Sequence, residues 1–417
     1  MHGTARQDVV VVGAGVIGLA CALELLVEGR HVVVLERESI GAGASLGNCG
    51  TITPSHAYPL AQPGTLGRAL KWMFRPDAPL YVKPRLDPQL LGWMLRFALR
   101  CNRRDAMRTA AVKAQLLQAS RRWLPQLLER EGIDCGFAAS GLWEVYRDRR
   151  EFEADTAAAR SLSELGIECE LLDEAQARTL EPALLPGLAG VIVFPGDAVL
   201  RPDRLVAGLA RRVRERGGEI REGSSVLAVE AADNGVRIAT GDGPVLAGQA
   251  VIATGSWSPE FAARLGVKLP IQPGKGYSIT YAPPQPAPLR PLVLRERRVC
   301  VTTWADGYRL GSTMEFSGYD RSLNPLRLDA LERAAAEYLV APFGPRRLEQ
   351  WCGWRPMTWD DLPIIGAVPG NRRVMLATGH GMLGVSLAAA TGRIVAALLA
   401  GRSCELDPAP FSPARFA

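Results

Sequence analysis

Gly13, Gly15 and Gly18 are the first residues whose types and spacing imply chemistry. Glu36 follows, close to the ~20 residues past the glycines at which a dinucleotide site places an acid. The order is strand, glycine turn, helix, strand, acid, as a dinucleotide-binding βαβ unit requires. Residues 9–12 are four valines, as suits a strand buried on both faces. Gly13 permits the tight turn out of that strand, Gly15 lets the backbone approach a pyrophosphate, and Gly18 lets the next helix pack closely. The pyrophosphate then meets a helix N-terminus, where free N–H groups and the dipole favour negative charge. The run 32–35 ends on Glu36, whose carboxylate suits the hydroxyls of an adenosine ribose and disfavours a 2′-phosphate. This stretch implies a dinucleotide and leaves open which one.

A second strand, glycine turn and helix stands near the other end. Residues 374–377 are apolar, Thr378-Gly379-His380-Gly381-Met382-Leu383-Gly384 is glycine-rich, and residues 385–399 are small and apolar. N–H groups at that helix start stabilise negative charge. A reduced flavin develops such charge at its N1/O2 edge, so this second turn favours a flavin. Two further pieces fit: the small-residue loop 41–50, able to lie flat on a cofactor, and the turn Thr254-Gly255 after the apolar run 249–253.

The elements that must position these residues read as a mixed α/β chain. Its 417 residues, 47% apolar and 22% charged, suit two globular domains. Helices are expected at 109–132, 151–165, 205–216 and 327–340. Strands are expected at 141–146, 190–194, 225–230, 236–239, 277–281, 299–303 and 308–312. The net charge of +6 comes without any basic cluster in a nucleic-acid-binding motif, so nucleic acid is not an expected partner. None of the eight cysteines stands in C-x-x-C spacing, which argues against a zinc site or a dithiol motif. Scattered cysteines suit a reducing compartment, and no metal is expected. The apolar start carries Glu24 and lacks a cleavage site after a basic region, so it does not read as a secretory signal. No apolar run reaches the ~18 residues of a membrane span. Residues 66–108 mix ten basic and three acidic residues with Trp, Phe and Leu, which suits either a helix lying in a membrane interface or a core-facing helix pair with a solvated arginine face.

Six motifs, in order along nearly the whole chain, resemble those of the FAD-dependent D-amino-acid dehydrogenases within the glycine/D-amino-acid oxidase family. They are GAGVIG with Glu36, GASLGNCGTITPSHAYPLAQPG at 43–64, LKWMF at 70–74, GKGYSIT at 274–280, GWRPMTWDDLPIIG at 353–366 and ATGHGMLG at 377–384. The resemblance implies a two-dinucleotide-binding-fold flavoprotein, with a Rossmann-like FAD domain from residues 1–65, 199–256 and 351–417. An antiparallel-sheet substrate domain would take residues 66–198 and 257–350. It implies that Gly13, Gly15, Gly18, Glu36 and Arg37 hold the ADP half of FAD. Ser45, Asn48 and Gly50 would lie along the pyrophosphate and flavin, Val226 at the adenine, and Gly255 in the turn beneath the cofactor. Gly379, Gly381, Met382, Leu383 and Gly384 would face the pyrimidine edge of the isoalloxazine. Arg355 would clamp the substrate carboxylate, with Tyr277, His380, His56 and Tyr58 around the flavin or substrate. Sarcosine-oxidase relatives attach FAD through a cysteine where Gly353 stands here, so non-covalent FAD is expected.

The reaction implied is hydride transfer from the Cα of a D-amino acid to flavin N5, D-proline or cis-4-hydroxy-D-proline being favoured. Electrons would pass to a non-oxygen acceptor such as a quinone. The location implied is cytoplasmic or peripheral on the inner face of the plasma membrane. An oxygen-using glycine/sarcosine-type oxidase, an NAD-dependent dehydrogenase and a flavin-holding non-catalytic subunit are the alternatives.

Overall fold

A computed structural model describes residues 7–73, 78–232 and 234–416. Phe74, Arg75 and Asp77 of the basic segment lie outside the described residues. The first strand, β1 (Gln7–Val12), pairs in parallel with β2 (Val32–Leu35) on one side and with Gly243–Ile252 on the other. The four valines of β1 are fully buried, which is why the run lacks alternation. Glu219–Arg221 extends this sheet beyond β2, and Asn371–Thr378 joins in parallel beside Gly243–Ile252. An antiparallel set, Val226–Ala232, Gly235–Thr240 and Gly243–Ile252, completes one side. One sheet thus gathers strands from three distant stretches of chain.

Helix α1 (Val16–Val27) and the C-terminal helix Gly384–Leu399 lie together against this sheet. They approach closely at Gly392, where a Cβ would stand 2.8 Å from the Ala20 carbonyl oxygen. The 29-residue helix Arg103–Glu131 packs outside them and holds the Ala390 N–H with the Ser120 hydroxyl.

The second sheet runs in the order Arg347–Thr358, Ile271–Tyr281, Gly307–Phe316, Val299–Trp304, Leu292–Leu294, Leu142–Tyr146, Gly190–Phe194, Glu170–Leu172. Most of its pairs are antiparallel; Leu292–Leu294 with Leu142–Tyr146, and Leu80–Val82 with Gly307–Phe316, are parallel. Helix Pro325–Tyr338 covers one face, over Tyr277, Ile279, Tyr308 and Leu310. The other face looks onto the first sheet across a deep cleft.

Several elements depart from the sequence expectations. The strand Arg347–Thr358 was not anticipated, and it crosses the expected boundary between residues 350 and 351. Its residues RLEQWCGWRPMT lack a period-2 apolar pattern, because Glu349, Gly353 and Arg355 interrupt the set that also carries Trp351 and Met357 into the cleft. The helix expected at 205–216 starts earlier, at Pro202, where proline suits the first helical turn. Strand 277–281 is the C-terminal end of the longer Ile271–Tyr281, and 308–312 lies in the first part of Gly307–Phe316. In the basic segment, helices Thr65–Met73 and Pro88–Arg100 form, the second burying Leu90 and Trp93 only.

Candidate functional site

A cleft of about 1050 Å³ lies between the two sheets. Its nucleotide-binding end is built by the turn after β1. Gly13 adopts φ +105°, and a Cβ there would stand 2.7 Å from the Ala253 carbonyl oxygen, so only glycine fits both conformation and space. A Cβ at Gly18 would collide with the Gly13 carbonyl, which places Gly18 in the helix–strand contact and off the cleft wall. Gly15 sits at the N-cap of α1 and lines the cleft. Ser45 accepts the Val16 N–H at 3.1 Å, which fastens the loop 41–50 to that helix start. Glu36 accepts the N–H of Ala14 at 2.8 Å through one carboxylate oxygen and that of Glu38 at 3.0 Å through the other. Each oxygen keeps a lone pair for a further donor. Arg37 stacks on Trp257 with its guanidinium 3.9 Å from the ring centroid, and Val226 and Gly255 line the same end.

The loop after Ser45 crosses to the second sheet. Asn48 lines the cleft, accepts the Gly50 N–H at 2.7 Å and offers its amide to the Met382 carbonyl. Gly50, expected along the pyrophosphate and flavin, is instead turned away: it does not line the cleft, and a Cβ there would collide with the Leu200 carbonyl. Its requirement for glycine is one of packing. At the second glycine turn, Gly381, Met382, Leu383 and Gly384 line the cleft. Gly379 does not; it lies under Thr358 and Ile364, with φ +71°. The helix Gly384–Leu399 has no side-chain cap at its start, so its first N–H groups are available to an anion.

The far wall is one face of the second sheet. Arg355 pairs with Gly274 across to the strand Ile271–Tyr281, and its guanidinium lies over Gly276, where any Cβ would overlap it. It donates to the Thr313 carbonyl at 2.5 Å. No carboxylate pairs with it among the described residues. Burial lowers its pKa, and Cys49 acts weakly in the opposite direction. A buried cation without an anion is costly, so the geometry suits an incoming carboxylate.

His380 lines the cleft with its imidazole against Thr391 Oγ1 at 2.9 Å, and burial brings its pKa down to about 3. His56 lines the cleft as well, lowered to about 3 first by burial and then by Arg295, Lys113 and Arg298. Tyr58 pairs its hydroxyl with Ser161 Oγ at 2.6 Å on the same wall. Tyr277 lines the cleft too, but its side chain turns away from this group. Its ring is packed in the core under helix Pro325–Tyr338 and its hydroxyl donates to Glu315 at 3.0 Å.

The cleft also holds residues that sequence reasoning missed. Lys113 and Asp361 form a buried ion pair at 2.5 Å, and Asp361 also accepts the Leu60 N–H. Arg295 bridges Glu144 at 3.2 Å and Asp155. Thr53 and Thr313 line the cleft with buried hydroxyls that lack a partner, and Thr313 adopts φ +66°, rare for a β-branched residue. The sequence signals for these were Asp361, inside the motif at 353–366, and Thr53, inside the motif at 43–64. The others come together from separate strands and helices. Orphaned hydroxyls, an uncapped helix N-terminus and an arginine lacking a counter-ion are what a cleft built around a polar, anionic ligand requires. A dinucleotide with a flavin ring fits these residues.

The profile of the family described as FAD dependent oxidoreductase matches residues 8–398. The chain is 37% identical over 409 residues to a D-amino acid dehydrogenase of Paramagnetospirillum magneticum, covering 96% of this chain and 97% of that protein. It is 34% identical over 421 residues to one of Methylobacterium nodulans, covering 98% and 99%. Among solved structures, glycine oxidase from Geobacillus kaustophilus superposes with a TM-score of 0.80 at 25% identity, covering 99% of this chain and all of that one. L-proline dehydrogenase from P. horikoshii shares the fold, with a TM-score of 0.75 at 19% identity over 99% and 98% of the two chains. The fold and cleft are those of a flavin-dependent oxidoreductase. The chain belongs to the FAD-dependent oxidoreductase family. It is an enzyme, and its cofactor is FAD.

Proposed function

We propose that this enzyme is a D-amino-acid dehydrogenase that binds its substrate by the carboxylate at Arg355. The carrying observation is the Arg355 guanidinium on the cleft wall, held by a carbonyl and lacking a carboxylate among the described residues. The similarity to proteins named D-amino acid dehydrogenase supports the same reading. Bound FAD supplies the two-electron acceptor for hydride transfer from the substrate Cα. The chain's own residues bind and orient. The Gly13–Gly18 turn and Glu36 would hold the ADP half, the loop 45–48 and the turn 381–384 would hold the flavin, and the free N–H groups at the start of helix Gly384–Leu399 would favour negative charge on its ring. Arg355 fixes the carboxylate, and thereby Cα, relative to the ring. His56 and His380 stay neutral at working pH and contribute shape and hydrogen bonding, not proton transfer.

Within this reading, FAD is held non-covalently. Gly353 occupies the strand position beside Arg355, while the Cys352 thiol bonds the Arg321 carbonyl. The favoured substrates are D-proline and cis-4-hydroxy-D-proline, with a quinone or another non-oxygen acceptor. The test is anaerobic bleaching of the flavin against D- and L-amino acids, both prolines and hydroxyprolines included. Rapid bleaching by D-isomers alone supports the assignment. Bleaching only by glycine or sarcosine, with peroxide formed at the turnover rate in air, would replace it with an oxidase.

A further inference from the structure

Cys49 and Cys300 come from chain segments some 250 residues apart, and both line the cleft beside the substrate clamp. In the antiparallel pair Val299–Trp304 with Gly307–Phe316, Cys300 stands directly opposite Gly311. The sulfur of Cys49 occupies the place a Cβ at Gly311 would take. Directly opposed residues carry Cβ atoms about 5 Å apart on one face of a sheet, so the Cys49 sulfur rests within reach of the Cys300 side chain. Both cysteines are free and partly exposed. A hydrogen bond from Cys300, with Arg309 and Arg355 nearby, lowers the Cys49 pKa, and the same bond raises that of Cys300. This is the asymmetry of an attacking thiolate and a resolving thiol.

We propose that Cys49 and Cys300 form a peroxide-reactive thiol pair that closes a disulfide across the cleft floor. The Cys49 thiolate attacks hydrogen peroxide; an S–O bond forms, the O–O bond breaks, and with one proton the departing hydroxide becomes water. The Cys300 thiolate then attacks the Cys49 sulfenic acid; an S–S bond forms, the S–O bond breaks, and a second water leaves with the Cys300 proton. Both cysteines are oxidised and one peroxide is reduced. The bridge ties the loop 41–50 to the sheet beside Arg355, so amino-acid turnover falls until a dithiol reopens it.

The experiment treats purified holoenzyme with stoichiometric hydrogen peroxide and maps peptides without reduction. The expected result is a Cys49–Cys300 linked peptide, loss of two hydrogens from the intact mass, and activity restored by dithiothreitol. In Cys300→Ser, Cys49 should stop at a dimedone-reactive sulfenic acid with no linked peptide. The proposal is overturned if the linked peptide is absent while other cysteines oxidise, or if enzyme carrying the Cys49–Cys300 linked peptide keeps its full activity. The peptide map reads the thiols directly, so it stands apart from the choice of amino-acid substrate.

Discussion

At the scale of single residues, the site sets Arg355, which has no carboxylate partner among the described residues, beside two histidines that burial keeps neutral. The two N–H forks of a guanidinium match both oxygens of a carboxylate, whereas an ammonium offers a point charge. Arg355→Lys should therefore raise KM for the amino acid roughly tenfold to a hundredfold, the cost of about 1.5–3 kcal/mol for a charge-assisted bond. Flavin absorbance should remain, and steady-state kinetics on the flavin-replete variant would check both. An unchanged KM would remove Arg355 from substrate binding. The neutral partners are His56 and His380. With a native pKa of about 3 for His380 against about 6.5 unfolded, the unfolded chain binds more protons between these values. Its contribution to stability is complete above pH 6.5 and is lost as pH falls toward 3. His380→Asn should therefore lose less stability than the native protein between pH 7 and pH 5 in urea unfolding. Its kcat/KM profile should keep its shape, because the native imidazole does not titrate near 6.5. Disappearance of a limb near 6.5 would assign His380 an acid–base role.

At the scale of elements, the clamp depends on glycines in the strand beneath it. The Arg355 side chain lies flat because Gly276 on Ile271–Tyr281 leaves room, and a methyl group there would displace the guanidinium itself. Gly276→Ala should raise KM several-fold while retaining bound FAD, since the flexible arginine yields before the sheet does. Equilibrium flavin absorbance alongside kinetics separates that outcome from misfolding, which would lower both. Such glycines explain what the sequence did and did not disclose. The βαβ unit from Gln7 to Glu36 was legible because buried parallel strands and G-x-G-x-x-G turns leave local signals. Arg355 and the turn before Gly384 were legible through motif resemblance. The strand carrying Arg355 was not, because Gly353 and Arg355 between Trp351 and Met357 break the alternation that marks a strand. Gly50 and Gly379 were read as cofactor contacts, yet a packing glycine and a ligand-facing glycine look alike in a sequence. Lys113–Asp361 and Arg295–Glu144–Asp155 are pairings across long separations, which no local pattern encodes.

At the scale of the molecule, one helix joins the cleft to an unusual surface. Pro88–Arg100 turns Trp93, Met94 and Phe97 toward the cleft, where the Trp93 indole donates to the Met357 carbonyl at 3.2 Å. Its outer face exposes Leu91, Leu95 and Leu99 at 57%, 63% and 69%, four residues apart and therefore in one stripe. Leu66 and Leu70 on Thr65–Met73 are also exposed. Lys71 and Arg96 on the same two helices, and Arg103, Arg104 and Arg108 at the start of the next, are exposed. A contiguous apolar stripe bordered by cations suits an anionic lipid surface, which takes leucines into its acyl boundary and pairs arginines with headgroups. No helix among the described residues is long and apolar enough to cross a membrane, so the contact we propose is peripheral. The enzyme should sediment with phosphatidylglycerol vesicles at low salt and be released in roughly 1 M salt, where the Debye length is about 3 Å. Replacing Leu91, Leu95 and Leu99 together by serine should abolish sedimentation while turnover with a soluble dye acceptor is retained. Reduction of a quinone dissolved in the vesicles should fall in that variant, because Trp93 and Phe97 place this same helix at the wall of the flavin cleft. Equal quinone reduction by native and variant enzymes would mean that electrons leave the cleft by a route independent of this helix.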